Sequence, residues 1–451
     1  MLTLTQLSRR DALRLGGAAA GATTLASLLA ACSGRPEAEV TEGPVDLAFW
    51  THDEAYASFF TEALPLVAER TPFEPSLSLT RASAADVVTK MLAQAIAGTG
   101  TPDVAGLEIG QFARVLRGDI ASELLVGLND AVAPYGDDLM PARTAPFSRN
   151  GELYALDSDC PMTVYYYRED LFEELGAPLP AEAGTWEEFL AAVTPISSSS
   201  GVSFAAFATG SDIGQIVQSF WFLLLQRGGQ LFTAEGELSI TTPEAEDVLR
   251  LMTTGVQSGA FATVTDYYGG TIQNALASGT IAGIGMPSWY SSYGIKPNVP
   301  EQSGRWRVTE LPRFAGGGGR TAVGGGTGFA ALKDKPNSEA AVALVLTAYL
   351  DPEQQVKRYY DLGYMPSLRS VYDLPEMYGL EDEYFGGQDV FGVFHEIVDD
   401  APEIYISENL PIVNTVLSGR ILEAYRGTLS PAEALAAAAE DYRGQARGSG
   451  A

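Results

Sequence analysis

Between Val45 and Glu108 the chain alternates short apolar, extended pieces with longer stretches of helical period, and this alternation restricts its fold more than any other feature. VDLAFW (Val45 to Trp50) alternates and then turns aromatic, as a buried strand does, and THDEAYASFFTEALPLVAER follows with apolar residues at helical spacing. SLSLTRAS (Ser76 to Ser83) is a second extended piece, ADVVTKMLAQAIAGTG a second helix, and TPDVAGLE a third strand after a Gly/Pro turn. Strand, helix, strand in repetition predicts an open α/β sheet.

The same reading continues downstream. Asn150 to Gly176 (NGELYALDSDCPMTVYYYREDLFEELG) has two strand-like runs separated by a polar break at Asp157 to Asp159, the second running into a helix. TWEEFLAAVTPI opens with Thr185 as N-cap and Glu188 three residues on, a capping-box spacing, and SDIGQIVQSFWFLLLQRGG stops at Gly228 and Gly229. ALASGTIAGIGMPSWYSSYG gives a helix end, a short strand and a loop carrying Trp289 and Tyr290, and SEAAVALVLTAYLDPEQQVKRYY and SPAEALAAAAEDYRGQ are helical. Phe220 and Trp221, mid-helix, read as core. The glycine run in FAGGGGRTAVGGGTGFAALKD contains neither GxxxxGK[ST] nor GxGxxG, so nucleotide binding is not expected, and energy coupling would come from another protein.

The chain opens with Arg9, Arg10 and Arg14 ahead of an uncharged run to Ala31, then Cys32 in LAAC. A positive start before an apolar core reads as a signal peptide over residues 1–31. The paired arginines resemble the twin-arginine export signal, and LAAC resembles the bacterial lipobox, in which the cysteine thiol receives diacylglycerol. Acyl chains on Cys32 would hold the protein on the outer face of the cell membrane, with residues 32–44, rich in Gly, Pro and Glu, as a flexible tether.

Without residues 1–31 the body has 420 residues and 25 basic against 56 acidic side chains, a net charge of −31. That length points to two lobes, and that charge excludes holding nucleic acid through phosphate contacts. With Cys32 lipidated only Cys160 remains, so no internal disulfide is expected and Cys160 reads as a buried apolar residue. Two histidines and no ligand cluster argue against a metal site, and no cofactor is expected.

VDLAFWTHDEAY, AGTGTPDVAGLE, NGELYALDSD, VYYYREDLFEELGAP, ASGTIAGIGMPSW, GGTGFAALKDKPNSEAAVALVLTAYLDPEQQ and GYMPSLRSVY, behind a lipobox and a tether, stand in an order that resembles the extracellular solute-binding proteins of ABC transporters, within them the maltose-binding-like carbohydrate binders. The resemblance implies a two-lobe type II periplasmic-binding-protein fold, each lobe an open α/β sheet flanked by helices. Crossings near Asp157, Pro300 and Leu350 would give lobe 1 residues 44–157 plus 304–349 and lobe 2 residues 158–303 plus 350–446. It also implies a monomer that clasps a sugar or oligosaccharide between its lobes, has no enzymatic activity, and hands its ligand to an ABC permease and separate ATPase subunits by hinge closure.

A sugar site needs aromatic platforms for ring faces and polar groups for hydroxyl fringes. Trp289 in GMPSWY matches the family's strand-then-Trp loop, and Tyr290 follows it. Trp50 ends the first strand, where the crevice of an open sheet lies, with His52 and Asp53 next. Glu108 and Gln111 follow the PDVAGL strand, Asp157 and Asp159 bracket the first crossing, Gly325, Gly326 and Thr327 resemble the family's ligand-side glycine loop, and Tyr364 and Arg369 sit near the return to the hinge. Structural readings stand beside these: core packing for Trp50 and Trp289, an acid favouring a helix N-terminal dipole for Glu108, turn formation for the aspartates and glycines. Two rival functions stand beside the sugar carrier. One is the same transporter role with a polyamine or peptide ligand, and the other is a secreted carbohydrate-active enzyme using Asp157 and Asp159 as a dyad.

Overall fold

The computed structural model describes residues 39–449, so the expected signal segment and Cys32 lie outside the described residues. β1 (Gly43–Thr51) turns Val45, Leu47, Phe49 and Thr51 to one buried side, the period-two pattern of a half-covered strand. α1 (Glu54–Arg70) starts on Asp53, whose carboxylate accepts the Ala55 N–H. β2 (Phe73–Arg81) pairs with β1 in parallel. α2 (Ala84–Ala97) is capped by Ser83 at its start and by left-handed Gly98 at its end, the position where the missing Cβ removes a steric penalty. β3 (Val104–Glu108) completes the parallel trio, and β4 (Leu156–Asp157) ends this part of the chain.

The chain then passes to a second sheet. All six residues of β5 (Thr163–Arg168) are buried, because later strands flank it on both edges. α3 (Trp186–Ser200) begins at Thr185, whose Oγ1 accepts the Glu188 N–H. The expected reciprocal half differs: the Glu188 carboxylate accepts the Thr185 hydroxyl at 2.8 Å, and the chain at Thr185 runs alongside Arg313 as a β-bridge. β6 (Ala205–Ala208), α4 (Ile213–Arg227), α5 (Pro243–Ser258) and β7 (Phe261–Val264) follow, with β6 and β7 paired in parallel and α4 stopped at left-handed Gly228. β8 (Gly283–Pro287) and β9 (Trp306–Thr309) run antiparallel to β5 on either side.

β10 (Thr327–Ala331) re-enters the first sheet antiparallel to both β3 and β4, giving the order β2-β1-β3-β10-β4. α6 (Ser338–Leu350) and α7 (Pro352–Leu362) pack on α1, while α8 (Leu410–Tyr425) and α9 (Pro431–Ser449) pack on α4 and α5. This is a two-lobe α/β fold of the type II kind; one hydrophobic cluster surrounds the first sheet and continues onto one face of the second, through Val164 and Tyr166, and the other covers the opposite face, through Tyr165 and Tyr167.

Two expected crossings move. β9 is hydrogen-bonded to β5, so the return to the first sheet falls between Thr309 and Thr327 and not at Gly304. α7 stays with the first lobe: Lys357 pairs with Glu62 at 2.8 Å, and Arg358 lies over the Tyr349 and Phe59 rings, so the chain does not leave at Leu350.

The first core is aromatic at its centre. Phe329 on β10 stacks on Tyr349 at 4.6 Å and meets Phe60 at 4.9 Å and Tyr56 at 5.1 Å. Its ring fixes α1 and α6 against one strand. Phe329→Ala is expected to destabilise the ligand-free protein by about 3–5 kcal/mol, read as a lower urea midpoint; a change under about 1 kcal/mol would mean the cluster repacks around the gap.

Candidate functional site

A cavity of about 270 Å³ lies between the lobes, walled by the carboxyl ends of β1 and β3 on one side and by α4 and the loops around β8 on the other. His52 and Asp53 stand directly after β1. Asp53 works twice: Oδ1 caps α1 through the Ala55 N–H at 2.8 Å, and Oδ2 accepts the Tyr293 hydroxyl at 2.7 Å. The Tyr293 oxygen is in turn 3.0 Å from the Tyr364 hydroxyl, so a relay from Tyr364 through Tyr293 to Asp53 ties the second lobe to the first. Burial and the Asp53 charge push the Tyr293 phenol up to about 12.

The floor is polar. The Ser158 hydroxyl donates to Asp159 Oδ1 and accepts from the Tyr56 hydroxyl at 3.3 Å and the Thr327 N–H at 3.1 Å. Asp159 Oδ2 and His52 Nδ1 are both buried with no hydrogen-bond partner. Both residues line the cavity, and a buried polar atom without a partner calls for an explanation. Burial raises the Asp159 carboxyl, opposed by the Ser158 hydroxyl and by the charges of Arg143 and Arg358. Burial also raises Glu108, whose carboxylate accepts the Gln111 N–H at 3.2 Å and begins a short helical turn.

The opposite wall is aromatic. Trp289 Nε1 donates to the Gly324 carbonyl at 3.0 Å, so the part of the indole left for a ligand is its hydrocarbon ring. Tyr268 lies almost parallel to it, 6.2 Å between centroids and 29° between planes. Gly325 and Gly326 pass beneath with φ of +87° and +109°, and a Cβ on Gly326 would stand 2.7 Å from Asp157 Oδ1. Only glycine allows the backbone this close. Among the described residues no group of His, Cys, Asp and Glu is arranged to hold a metal ion. An aromatic wall facing unpaired acceptors can bind a molecule with an apolar face and a hydroxylated edge.

Residues 70–381 match the family model for bacterial extracellular solute-binding proteins. The chain belongs to that family. An arabinooligosaccharide-binding protein of Halalkalibacterium halodurans is 26% identical over 411 residues, covering 88% of this chain and 89% of the relative. A second of the same name from Bacillus subtilis is 25% identical over 410 residues, covering 88% and 91%. The solved structure of the cyclic α-maltosyl-1,6-maltose binding protein from Arthrobacter globiformis superposes with a TM-score of 0.72 at 22% identity, covering 89% of this chain and 98% of that one. Among its described residues the chain has no helix long and apolar enough to cross a membrane.

Within this solute-binding fold the cavity brings together His52, Asp53, Glu108, Asp159, Trp289, Gly325, Thr327 and Tyr364 of the residues expected from the sequence. Five others do not line it. Trp50 is held in β1 between Thr80 and Ala105 and packs on the core. Gln111 turns to Arg114. Asp157 is buried against the Arg143 guanidinium, which leaves no Asp157–Asp159 dyad open to the cavity. Tyr290 is fully buried with its hydroxyl on the Tyr267 carbonyl at 2.9 Å, and Arg369 is drawn to Asp399 and Asp373. Tyr56, Gln218, Tyr268 and Tyr293 complete the lining without having been singled out, together with Gly326 of the expected glycine loop. Tyr56 was legible in principle, since it follows the strand end by one helical turn; Tyr268 in DYYGG carries no such signal. Cys160 is buried, its thiol pushed up to about 12, as an inert packing residue should be.

Burial holds the His52 imidazole below its ordinary 6.5, with Asp53 partly offsetting. Between that lowered value and 6.5 the unfolded chain binds a proton that the folded chain refuses, so stability contributed by neutral His52 falls as pH drops below 6.5. His52→Gln is expected to flatten the loss of urea stability between about pH 7 and pH 5; an unchanged slope would assign the loss to other groups.

Proposed function

We propose that this protein is the substrate-binding component of an ABC importer and captures a short oligosaccharide between its lobes. The observation that carries the reading is the opposition of the Trp289–Tyr268 aromatic wall to a floor holding unpartnered Asp159 Oδ2 and His52 Nδ1. A pyranose or furanose presents an apolar face and a fringe of hydroxyls, and a wall of one kind facing a floor of the other accepts both at once. The two relatives named for arabinooligosaccharides support a pentose-containing chain as the first ligand to try. Hinge closure over the bound sugar would present both lobes to a membrane permease with its separate ATPase subunits.

The same proposal includes export through the N-terminal segment, a lipid anchor on Cys32 at the outer face of the cell membrane, a monomeric body, and a role in binding rather than catalysis. Ligands with positive charge fit less well. Asp53 already spends both oxygens on the Ala55 N–H and the Tyr293 hydroxyl, and Glu108 spends one on the Gln111 N–H, so a polyamine would meet carboxylates that already hold hydrogen bonds within the protein.

A thermal-shift panel of arabino-, malto- and galacto-oligosaccharides, with polyamines and peptides as contrast, tests the ligand class, because a ligand that binds only the folded state raises the melting temperature. A rise with one sugar class is the expected result; a rise with polyamines or peptides alone overturns the sugar reading. For the sugar that binds, Trp289→Ala is expected to weaken affinity more than ten-fold, about 1.4 kcal/mol, and Trp289→Phe to keep most of it. Equal affinity in all three proteins would remove the aromatic wall from the site.

A further inference from the structure

A second cavity, about 440 Å³, lies beside the first, which has about 270 Å³. Its walls come from both lobes: Tyr359 to Gly363 at the end of α7 on one side, and Ser291, Ser292 and Lys296 in the chain after β8 on the other. Residues 380–385 close a third side. They are held to the edge of the second sheet, where the Gln388 side chain accepts the Val308 N–H at 2.9 Å and donates to the Val308 carbonyl at 2.7 Å, and Lys296 pairs with Asp382 at 2.7 Å. A ligand confined to the first cavity makes no use of this space.

The two cavities share one thin wall. After β8 the chain winds through a π-helical turn, Ser291–Ile295, with the Lys296 N–H on the Ser291 carbonyl at 2.9 Å. Helical spacing splits its side chains between the two spaces. Trp289 and Tyr293, four apart, line the first cavity, and Ser288, Ser292 and Lys296, likewise four apart, line the second. Across from them Tyr364 lines the first, and its neighbours Gly363 and Met365 the second. The contacts that close the wall are made by hydroxyls: the Tyr293 and Tyr364 oxygens are 3.0 Å apart, and the Ser292 hydroxyl donates to the Leu362 carbonyl at 3.5 Å. Hydrogen bonds of this kind exchange for those of a polyhydroxylated ligand with little net change in free energy.

The second cavity repeats the chemistry of the first. Tyr360 lines it with a ring 46% exposed, and its hydroxyl is spent on the Glu376 carbonyl, so the ring face is what remains for a ligand, as with the Trp289 indole. Hydrogen-bonding groups stand around that ring. Glu381 and Glu383 are exposed and enter no ion pair among the described residues, and the Ser291 and Ser292 hydroxyls each donate to a carbonyl and are left able to accept. An open ring face bordered by acceptors suits a sugar residue. The first cavity alone falls below the roughly 300–1,000 Å³ of an ordinary ligand pocket, and the second lies within that range. We propose that the two cavities form one oligosaccharide site in series: a chain too long for the first passes Tyr293 and Tyr364, replaces their hydroxyl contact with its own, and continues onto Tyr360. The inference rests on the sugar reading of the first cavity and adds to it a preference for longer chains.

Linear arabino- and malto-oligosaccharides of two to six sugar residues, titrated calorimetrically into the full chain, test it. In the series that binds, the hexasaccharide is expected to bind about ten-fold more tightly than the shortest chain that binds, as one further ring contact would give. Tyr360→Ala, at an exposed helical position, and Leu380→Trp, which fills the second cavity from its lining, should each remove most of that gain and leave the affinity of the shortest chain unchanged. Tyr360→Phe keeps the ring and should keep the gain. Equal affinity at every length in the wild type, a gain that survives both Tyr360→Ala and Leu380→Trp, or a loss that is the same at every length overturns the proposal and leaves the sugar reading standing. Should Leu380→Trp not fold, the two Tyr360 variants still decide it. Absence of binding at every length in both series overturns the sugar reading and the proposal with it.

Discussion

One buried guanidinium ties together two of the passages that the chain makes between its lobes. Arg143 bonds to the Asp159 carbonyl, on the passage from β4 to β5, and to the Gly325 carbonyl, on the passage from β9 to β10, while its charge is met by Asp157. A planar fork with several donors can serve two strands and a carboxylate together, which an ammonium on a flexible stem does poorly. Ser158 adds a second tie, its N–H donating to the Thr327 carbonyl at 2.8 Å and its hydroxyl accepting from the Thr327 N–H. The hinge is therefore laced at its base. Motion of one lobe against the other must come from the longer segments around this point, and the floor of the cavity is made of the residues that stay fixed.

The fixed floor explains why the two sides of the site differ in kind. The acceptors, His52 and Asp159, come from strand ends and the laced passages, where the backbone is most constrained. The aromatic rings come from loops of the second lobe, Tyr268 after β7 and Trp289 after β8. Directional groups need a rigid base because a hydrogen bond weakens steeply with angle, whereas a ring face tolerates sliding. Tyr293 crosses between the two sides: its bond to Asp53 and its contact with Tyr364 pair the lobes through groups that an entering ligand would have to share or displace.

The sheet strands and the helix stops were legible because they depend on local pattern. Alternation marked β1, the doubled glycine marked the end of α4, and residues placed by a strand end, such as His52, Asp53 and Glu108, were found with the strands. The misses share a physical cause. Trp50 and His52 are two residues apart, a spacing that puts both on one face of a continuing strand, but β1 ends at Thr51, so His52 stands beyond it at the cavity while Trp50, within the strand, packs against the core. Asp157 and Asp159 stand in the same relation, and only the presence of Arg143, fourteen residues upstream in an unremarkable helical turn, decides that one is consumed as an ion pair and the other left free. The crossings moved because β9 reads equally well as an edge strand of either sheet until its partner is known.

The charge of the molecule and the charge of its site point in opposite directions. With 57 acidic against 28 basic residues, the protein as a whole would attract a cation. The cavity meets a local exception to that field, because Arg143 is buried beside it, bonded to the Asp159 and Gly325 carbonyls of its lining. A site evolved for a dication gains by leaving its carboxylates uncompensated, so that the ligand supplies the missing charge. Here Arg143 supplies it for Asp157 from within, Asp53 is occupied by the Ala55 N–H and the Tyr293 hydroxyl, and Glu108 accepts the Gln111 N–H. An acidic exterior and a compensated interior are compatible because they serve different ends: the first keeps the protein soluble and apart from its neighbours, and the second decides what the cleft accepts.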